Sequence, residues 1–300
     1  MAKKSASIPP PSPRRNFLLR PRTILGVLLL AGLAAAYPVI KPHLPDVRRR
    51  GEYRVLTSEI QITQPPHWVP QDLVEQVAKL ASLPEESSLL DEQLTREIHD
   101  AFALHPWVEE VVSVRKQVPA KIEVKLTYRR PVAMVQVRSG MYPVDRRGIL
   151  LPPADFSVAS TRLYPLVEGV RSTPQGPAGT SWGDPLVEGA ARLSDELSSH
   201  WKKFKLTAIV VPQAGVAADT AEGVYSLRSE GGSRIVWGRA PGSDNPGELA
   251  TDKKISRMLK YVTDFGGFDR PHGPYEIDIR HWQEISRKPL AARDDLPLRE

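Results

Sequence analysis

The chain has 300 residues, 41% of them apolar and 25% charged, and no cysteine. That length and composition can bury one large core or two modest ones, while the missing thiols exclude disulfide scaffolds, Cys-ligated zinc or iron–sulfur sites and a cysteine nucleophile. The net charge of +6 comes entirely from Lys3, Lys4, Arg14, Arg15, Arg20 and Arg22; beyond residue 22, 35 basic residues face 35 acidic ones, so the body has no charge excess with which to condense on nucleic acid.

Residues 1–22 are rich in Lys, Arg, Pro and Ser, hold no acid and contain the run Pro9-Pro10-Pro11-Ser12-Pro13, so they are predicted to form a disordered basic tail. From Thr23 to Ile40 no charge interrupts a run dominated by Ile24, Leu25, Val27, Leu28, Leu29, Leu30, Leu33 and Val39. Eighteen residues at 1.5 Å each reach roughly 27 Å, so residues 23–40 are predicted to be a single transmembrane helix. The basic tail before the run places the amino terminus in the cytoplasm and the rest of the chain outside it. A competing reading is a cleavable signal peptide, since Ala34-Ala35-Ala36 offers small residues for a peptidase. Residues 41–52 form a linker.

Residues 53–129 have the pattern of a compact α+β unit. Ile60 and Ile62, flanked by Glu59 and Gln61, alternate like a half-buried strand within Tyr53 to Thr63, and Pro65-Pro66 stop it. Pro70 suits the first turn of a helix that carries Leu73, Val74, Val77 and Leu80 on one face. After Asp91, Leu94, Ile98, Ala101 and Phe102 recur at spacings of three and four, giving a second helix that ends at His105-Pro106. Val108 to Lys116 and Ala120 to Tyr128 are then two strands about the turn Gln117-Val118-Pro119-Ala120, the second with Ile122, Val124, Leu126 and Tyr128 on one face. Trp107 reads as a core residue at the helix-to-strand corner.

The order strand, helix, helix, strand, strand resembles a POTRA domain. The series His105-Pro106-Trp107-Val108, Val114 to Val124 with its Pro119, and Tyr128-Arg129-Arg130-Pro131-Val132-Ala133 resembles the FtsQ/DivIB family of bacterial cell-division proteins. There a "PWV" step leads into a strand, a Pro-containing turn, an alternating strand and an "R-x-PVA" segment.

Residues 130–285 are expected to form a mixed or antiparallel sheet domain with two helices. Pro131 to Val137 and Met141 to Leu151 read as strands, with Val144-Asp145-Arg146-Arg147-Gly148-Ile149 as a hairpin in which Gly148 supplies a positive φ. Residues 171–185 read as a surface loop, Leu186 to Trp201 as a helix and Ala208 to Val211 as a strand. Val224 to Ser229 and Arg234 to Trp237 flank the hairpin signal Glu230-Gly231-Gly232-Ser233; Glu248 to Phe265 is a helix. Glu276-Ile277-Asp278-Ile279-Arg280 is the last strand and resembles the family's "Y-V-D-L-R" ending, with residues 286–300 a flexible tail.

Chemistry finds little footing in these patterns. The histidines, at 43, 67, 99, 105, 200, 272 and 281, form no His-x-x-x-His pair, and there is no Gly-x-Ser-x-Gly elbow, phosphate loop or dinucleotide fingerprint. The acidic pairs Glu85-Glu86 and Asp294-Asp295 fall in polar loops or tails. The expectation is a protein with no catalytic, cofactor or metal site, no small-molecule substrate and no nucleic-acid partner.

The resemblance implies a protein at the division septum, in the bacterial inner membrane with its body in the periplasm, linking early cytoplasmic division components to septal peptidoglycan synthases. It would do so by binding FtsB/FtsL-like subunits. The partner-binding candidates are Glu276, Ile277, Asp278, Ile279, Arg280 and the nearby Trp282, on the expectation that the last strand is a free sheet edge open to β-augmentation. Two rivals are a POTRA-bearing outer-membrane assembly or secretion component, which needs a long carboxy-terminal barrel, and a periplasmic enzyme with a cleaved signal peptide.

Overall fold

A computed structural model describes residues 21–40, 51–212, 223–243 and 247–290. The expected basic tail up to Arg20, the linker residues 41–50 and the last ten residues of the expected flexible tail lie outside them.

Helix α1 (Pro21–Ile40) matches the apolar run in position. Among the described residues no helix is long and apolar enough to cross a membrane, and this finding overturns the transmembrane helix expected over residues 23–40.

The first unit comprises β1 (Arg54–Leu56), β2 (Gln61–Ile62), α2 (Leu73–Leu80), β3 (Glu86–Ser88), α3 (Leu94–Ala103), β4 (Val108–Gln117) and β5 (Lys121–Tyr128). The strand expected across residues 53–63 is broken in two. Thr57 donates its backbone N–H to the Glu85 carbonyl at 2.9 Å and its hydroxyl to Pro84 O at 2.5 Å, and this turn lets the chain change sheets. β1 then pairs antiparallel with β3, while β2 runs parallel to β5, which is antiparallel to β4. Glu86, seen in sequence as half of a solvated acidic pair, is in β3 and ion-pairs with Arg54 across the ladder. The helix faces largely follow their spacing: Leu73 and Val77 of α2, and Leu94, Ile98, Ala101 and Phe102 of α3, are buried with Ile122, Val124 and Leu126 of β5, whereas Leu80, at the end of the expected α2 face, is exposed. Pro70 precedes α2 by three residues and does not open it.

The second unit is an eight-stranded mixed sheet in the order β13-β12-β11-β10-β9-β8-β6-β7. Its elements in chain order are β6 (Pro131–Val137), β7 (Gly140–Asp145), α4 (Val158–Thr161), β8 (Leu166–Glu168), α5 (Pro185–Leu197), β9 (Leu206–Val210), β10 (Tyr225–Ser229), β11 (Arg234–Gly238), α6 (Thr251–Phe265), β12 (Tyr275–Asp278) and β13 (Ser286–Pro289). Val187, Ala190, Ala191, Leu193 and Leu197 of α5 and Met258 and Tyr261 of α6 share one core with Ile209, Leu227, Ile235 and Ile277 of the sheet. Asp184 caps α5 by accepting from Leu186 N at 2.9 Å, and α6 stops at Gly266 in the left-handed region.

The joint between the units accounts for residues that sequence reading left as separate pieces. Trp107 is fully buried, as expected, and its indole N–H also reaches across to Asp155 Oδ2 at 2.7 Å. Asp145 is the last residue of β7. Its Oδ1 accepts from the N–H groups of Arg147 and Ile149, and its Oδ2 from Arg129 at 2.8 Å. Arg146 pairs with Glu109 at 2.9 Å, and Leu151 enters the core of the first unit. The segment 171–185 is more than a surface loop: Trp182 is wholly buried and donates to Ser172 Oγ at 3.0 Å, and a Cβ on Gly179 would meet Pro106 at 3.3 Å.

Candidate docking site at the end of the sheet

The site begins with α6, whose Arg257 reaches beyond its own helix. Its guanidinium donates to the carbonyls of Ile279, His281 and Trp282, three acceptors in the connection between β12 and β13 that a planar fork of donors can engage together. Within that connection Arg280 and Asp278 form a bidentate pair, Nε to Oδ1 at 3.0 Å and Nη2 to Oδ2 at 2.6 Å, while the Arg280 N–H donates to Asp278 Oδ1 at 3.0 Å. Burial alone raises the Asp278 carboxyl's pKa, but the hydrogen bonds from Arg280 outweigh it and hold the group below its ordinary value. The same pairing raises Arg280. Trp282, 66% exposed, donates its indole N–H to Gly247 O at 3.2 Å. An indole with a free face and a tethered N–H is pre-organised for contact.

The candidate residues divide sharply. Ile277 and Ile279 are fully buried and face the core, so their side chains are turned away from the surface. Glu276, Asp278 and Arg280 are half-buried, and Glu276 lies 3.6 Å from Arg234 of β11. Only Trp282 is openly exposed.

The expected free edge is not where sequence reading put it. β12 runs parallel to β11 on one side, and on the other it is antiparallel to β13, which matches Tyr275 with Pro289, Glu276 with Lys288, Ile277 with Arg287 and Asp278 with Ser286. Residues 276–278 are therefore paired on both flanks, and residues 286–289, expected to fray, form the edge. Polar composition concealed this strand because it buries nothing: all four of its residues are exposed. Its side-chain anchor is Arg287, whose guanidinium carbon lies 4.8 Å from the Phe265 ring and 4.9 Å from the Tyr275 ring. Arg257 leaves no mark in the sequence, since an arginine among the polar residues of a helix carries no signal that it will clamp a distant loop.

Elsewhere, polar groups are arranged to hold structure. Lys254 is 2% exposed, pairs with Glu248 and lies 4.8 Å from the Trp237 ring, beside a cleft of about 430 Å³. Burial lowers its pKa, against the pull of Glu248. Because Glu248 also accepts from the Arg239 N–H at 3.1 Å, the pair ties the start of α6 to the end of β11. A second cleft, of about 600 Å³, holds Arg146, Arg147, Arg192, Glu188, Asp195 and Glu196, a balanced set in which Arg146 and Asp195 are engaged by Glu109 and Arg130. Among the described residues no group of three or more His, Asp or Glu side chains could hold a metal ion.

No protein-family model matches this chain, and no curated protein matches it.

Proposed function

We propose that this chain is a division-site docking protein of the FtsQ/DivIB kind, working without chemistry of its own on the outer side of the bacterial cytoplasmic membrane. Its role is to join early division components to the septal peptidoglycan synthases by contacts with FtsB/FtsL-like subunits. The observation that carries the reading is the end of the large sheet: a short exposed hairpin arm beside an exposed, tethered Trp282, held in place by a clamp from α6. Sheet ends recruit extended segments through backbone hydrogen bonds, with alternate side chains choosing the partner; here the strand suited to that pairing is β12, which the arm covers. The ordered series from His105 to Ala133 supports the family assignment, as does the succession β2, α2, α3, β4 and β5 in the first unit, to which β1 and β3, the latter lying between the two helices, add a separate two-stranded ladder. The open, mixed sheet, with parallel pairs at β11–β12, β9–β8 and β8–β6, gives no support to an outer-membrane barrel, whose strands are antiparallel throughout.

Depletion tests the proposal. Cells losing the protein are expected to grow as filaments without septa, and a fluorescent fusion is expected at midcell; normal division after depletion overturns it.

A further inference from the structure

Backbone alternation at the sheet's end separates a strand that resists pairing from one that invites it. The Leu290 N–H donates to Pro274 O at 2.9 Å. By the two-residue period of an antiparallel ladder, Lys288 and Ser286 also turn their N–H groups toward β12, while Arg287 and Pro289 turn outward. The outer rim of β13 thus lacks a donor at Pro289 and carries the cationic side chains of Arg287 and Lys288, the devices by which natural sheets discourage a further strand. β12 has the opposite character. Tyr275 and Ile277 are buried on one face, Glu276 and Asp278 are half-exposed on the other, and its backbone pairs readily along its whole length.

β13 is also lightly held. With every residue exposed it contributes almost nothing to the core, so backbone bonds and the stacking of Arg287 on Phe265 and Tyr275 retain it. Such elements open at the low end of a protein's range of local stabilities. The connection before it stays put when it opens, because Arg257 grips the carbonyls of residues 279, 281 and 282 and not those of β13.

We infer that β13 is a self-supplied cap on the edge of β12, and that a docking partner takes its place by strand exchange. This rests on the docking function proposed above. The occupant is an extended protein segment running antiparallel to β12. Apolar or aromatic residues sit where Arg287 and Pro289 now lie, covering Phe265, which is 46% exposed, and a Lys or Arg sits where Lys288 faces Glu276. β13 reproduces the charge match but not the apolar one. That difference lets a better-matched segment win the exchange, while the cap keeps β12 from pairing indiscriminately until one arrives.

The test uses the full chain and, as probe, a fluorescently labelled peptide with the sequence of its own residues 284–291. Lys288→Pro removes an inward N–H from β13 without touching β12, and a second variant ends at Ile285. Both are expected to bind the probe at least tenfold more tightly than the unaltered chain, because an occupied site weakens apparent affinity by the fraction of time it is closed. In the unaltered chain the Lys288 and Leu290 amides are expected to exchange at least a hundredfold faster than those of Leu227 and Ile235. Equal probe binding by all three chains, or equal protection of the two sets of amides, overturns the cap. Filamentation on depletion together with either result removes the cap and leaves the division role standing; tight probe binding by the variants in a cell that divides normally without the protein does the reverse.

Discussion

Asp145 is 2% exposed and answers three donors at once: the N–H groups of Arg147 and Ile149 and the guanidinium of Arg129, itself only 13% exposed. Asp145→Ala would strand a buried cation, and the expected loss is about 3 kcal/mol, read as a lower urea midpoint at unchanged slope. Three groups with shifted pKa values contribute to the acid response. Burial lowers His105, with Asp155 and Asp72 pulling the other way, so the folded state takes up its proton at a lower pH than the unfolded chain, which does so near the ordinary 6.5. More protons on the unfolded side mean that stability falls as pH drops below 6.5. Asp269 and Asp278 act lower down. Burial raises both, but hydrogen bonds from Ser229, Ser233 and Gly231 to the first, and from Arg280 to the second, leave them below their ordinary 3.8. Their contribution is present above 3.8 and is lost as pH falls through their folded values. Thermal unfolding from pH 7 downward should therefore show two successive losses. His105→Gln is expected to flatten the first and Asp269→Asn to shrink the second; an unchanged profile in either variant counts against its assignment.

At the level of elements, caps and clamps do what propensity alone does not. Asp184 accepts from Leu186 N and, through its other oxygen, from Ser172 Oγ at 2.5 Å, and Ser172 in turn receives the buried Trp182 indole. Asp184→Ala should cost about 1–2 kcal/mol and lower the melting temperature by roughly 2–4 °C for each kcal/mol. The connection after β12 depends on Arg257. Arg257→Ala is expected to release Trp282, seen as narrowing of its ¹⁹F resonance in chain labelled with 5-fluorotryptophan. Arg257→Lys should restore little, since a single ammonium lacks the fork that spans three carbonyls. Asp278→Lys would break the Arg280 pair and so perturb the loop itself; Trp282→Ala is the cleaner probe of docking.

Across the whole molecule, the joint makes the two units interdependent. Trp107 to Asp155, Arg129 to Asp145 and Arg146 to Glu109 cross between them, and Leu151 of the second unit completes the core of the first. Calorimetry should record one transition, with calorimetric and van't Hoff enthalpies equal. Trp107→Phe gives up the bond to Asp155 for about 1–2 kcal/mol, and combined with Arg129→Leu it is expected to split the transition in two. A single sharp transition in the double variant would mean that packing at Leu151 and the 171–185 segment is the real coupling.

Sequence by itself determined what depends on local pattern. The spacing of Leu94, Ile98, Ala101 and Phe102, the alternation of Ile122, Val124 and Leu126, and the Gly-rich turn at 230–233 fix periodicity and punctuation, and each element formed where these said. Tertiary structure decided what depends on neighbours distant in the chain. A polar Ser-Arg-Lys-Pro stretch becomes a strand because β12 presents a ladder to it, and the presumed edge at residues 276–278 becomes interior for the same reason. Trp182 is drawn inside from a loop-like composition, and Arg257 becomes a clamp only once the chain has folded back within its reach. Hydrogen-bond partners of backbone and of long cationic side chains leave no periodic trace, so whether an edge is open or capped is settled by the assembled sheet and not by the residues that compose it.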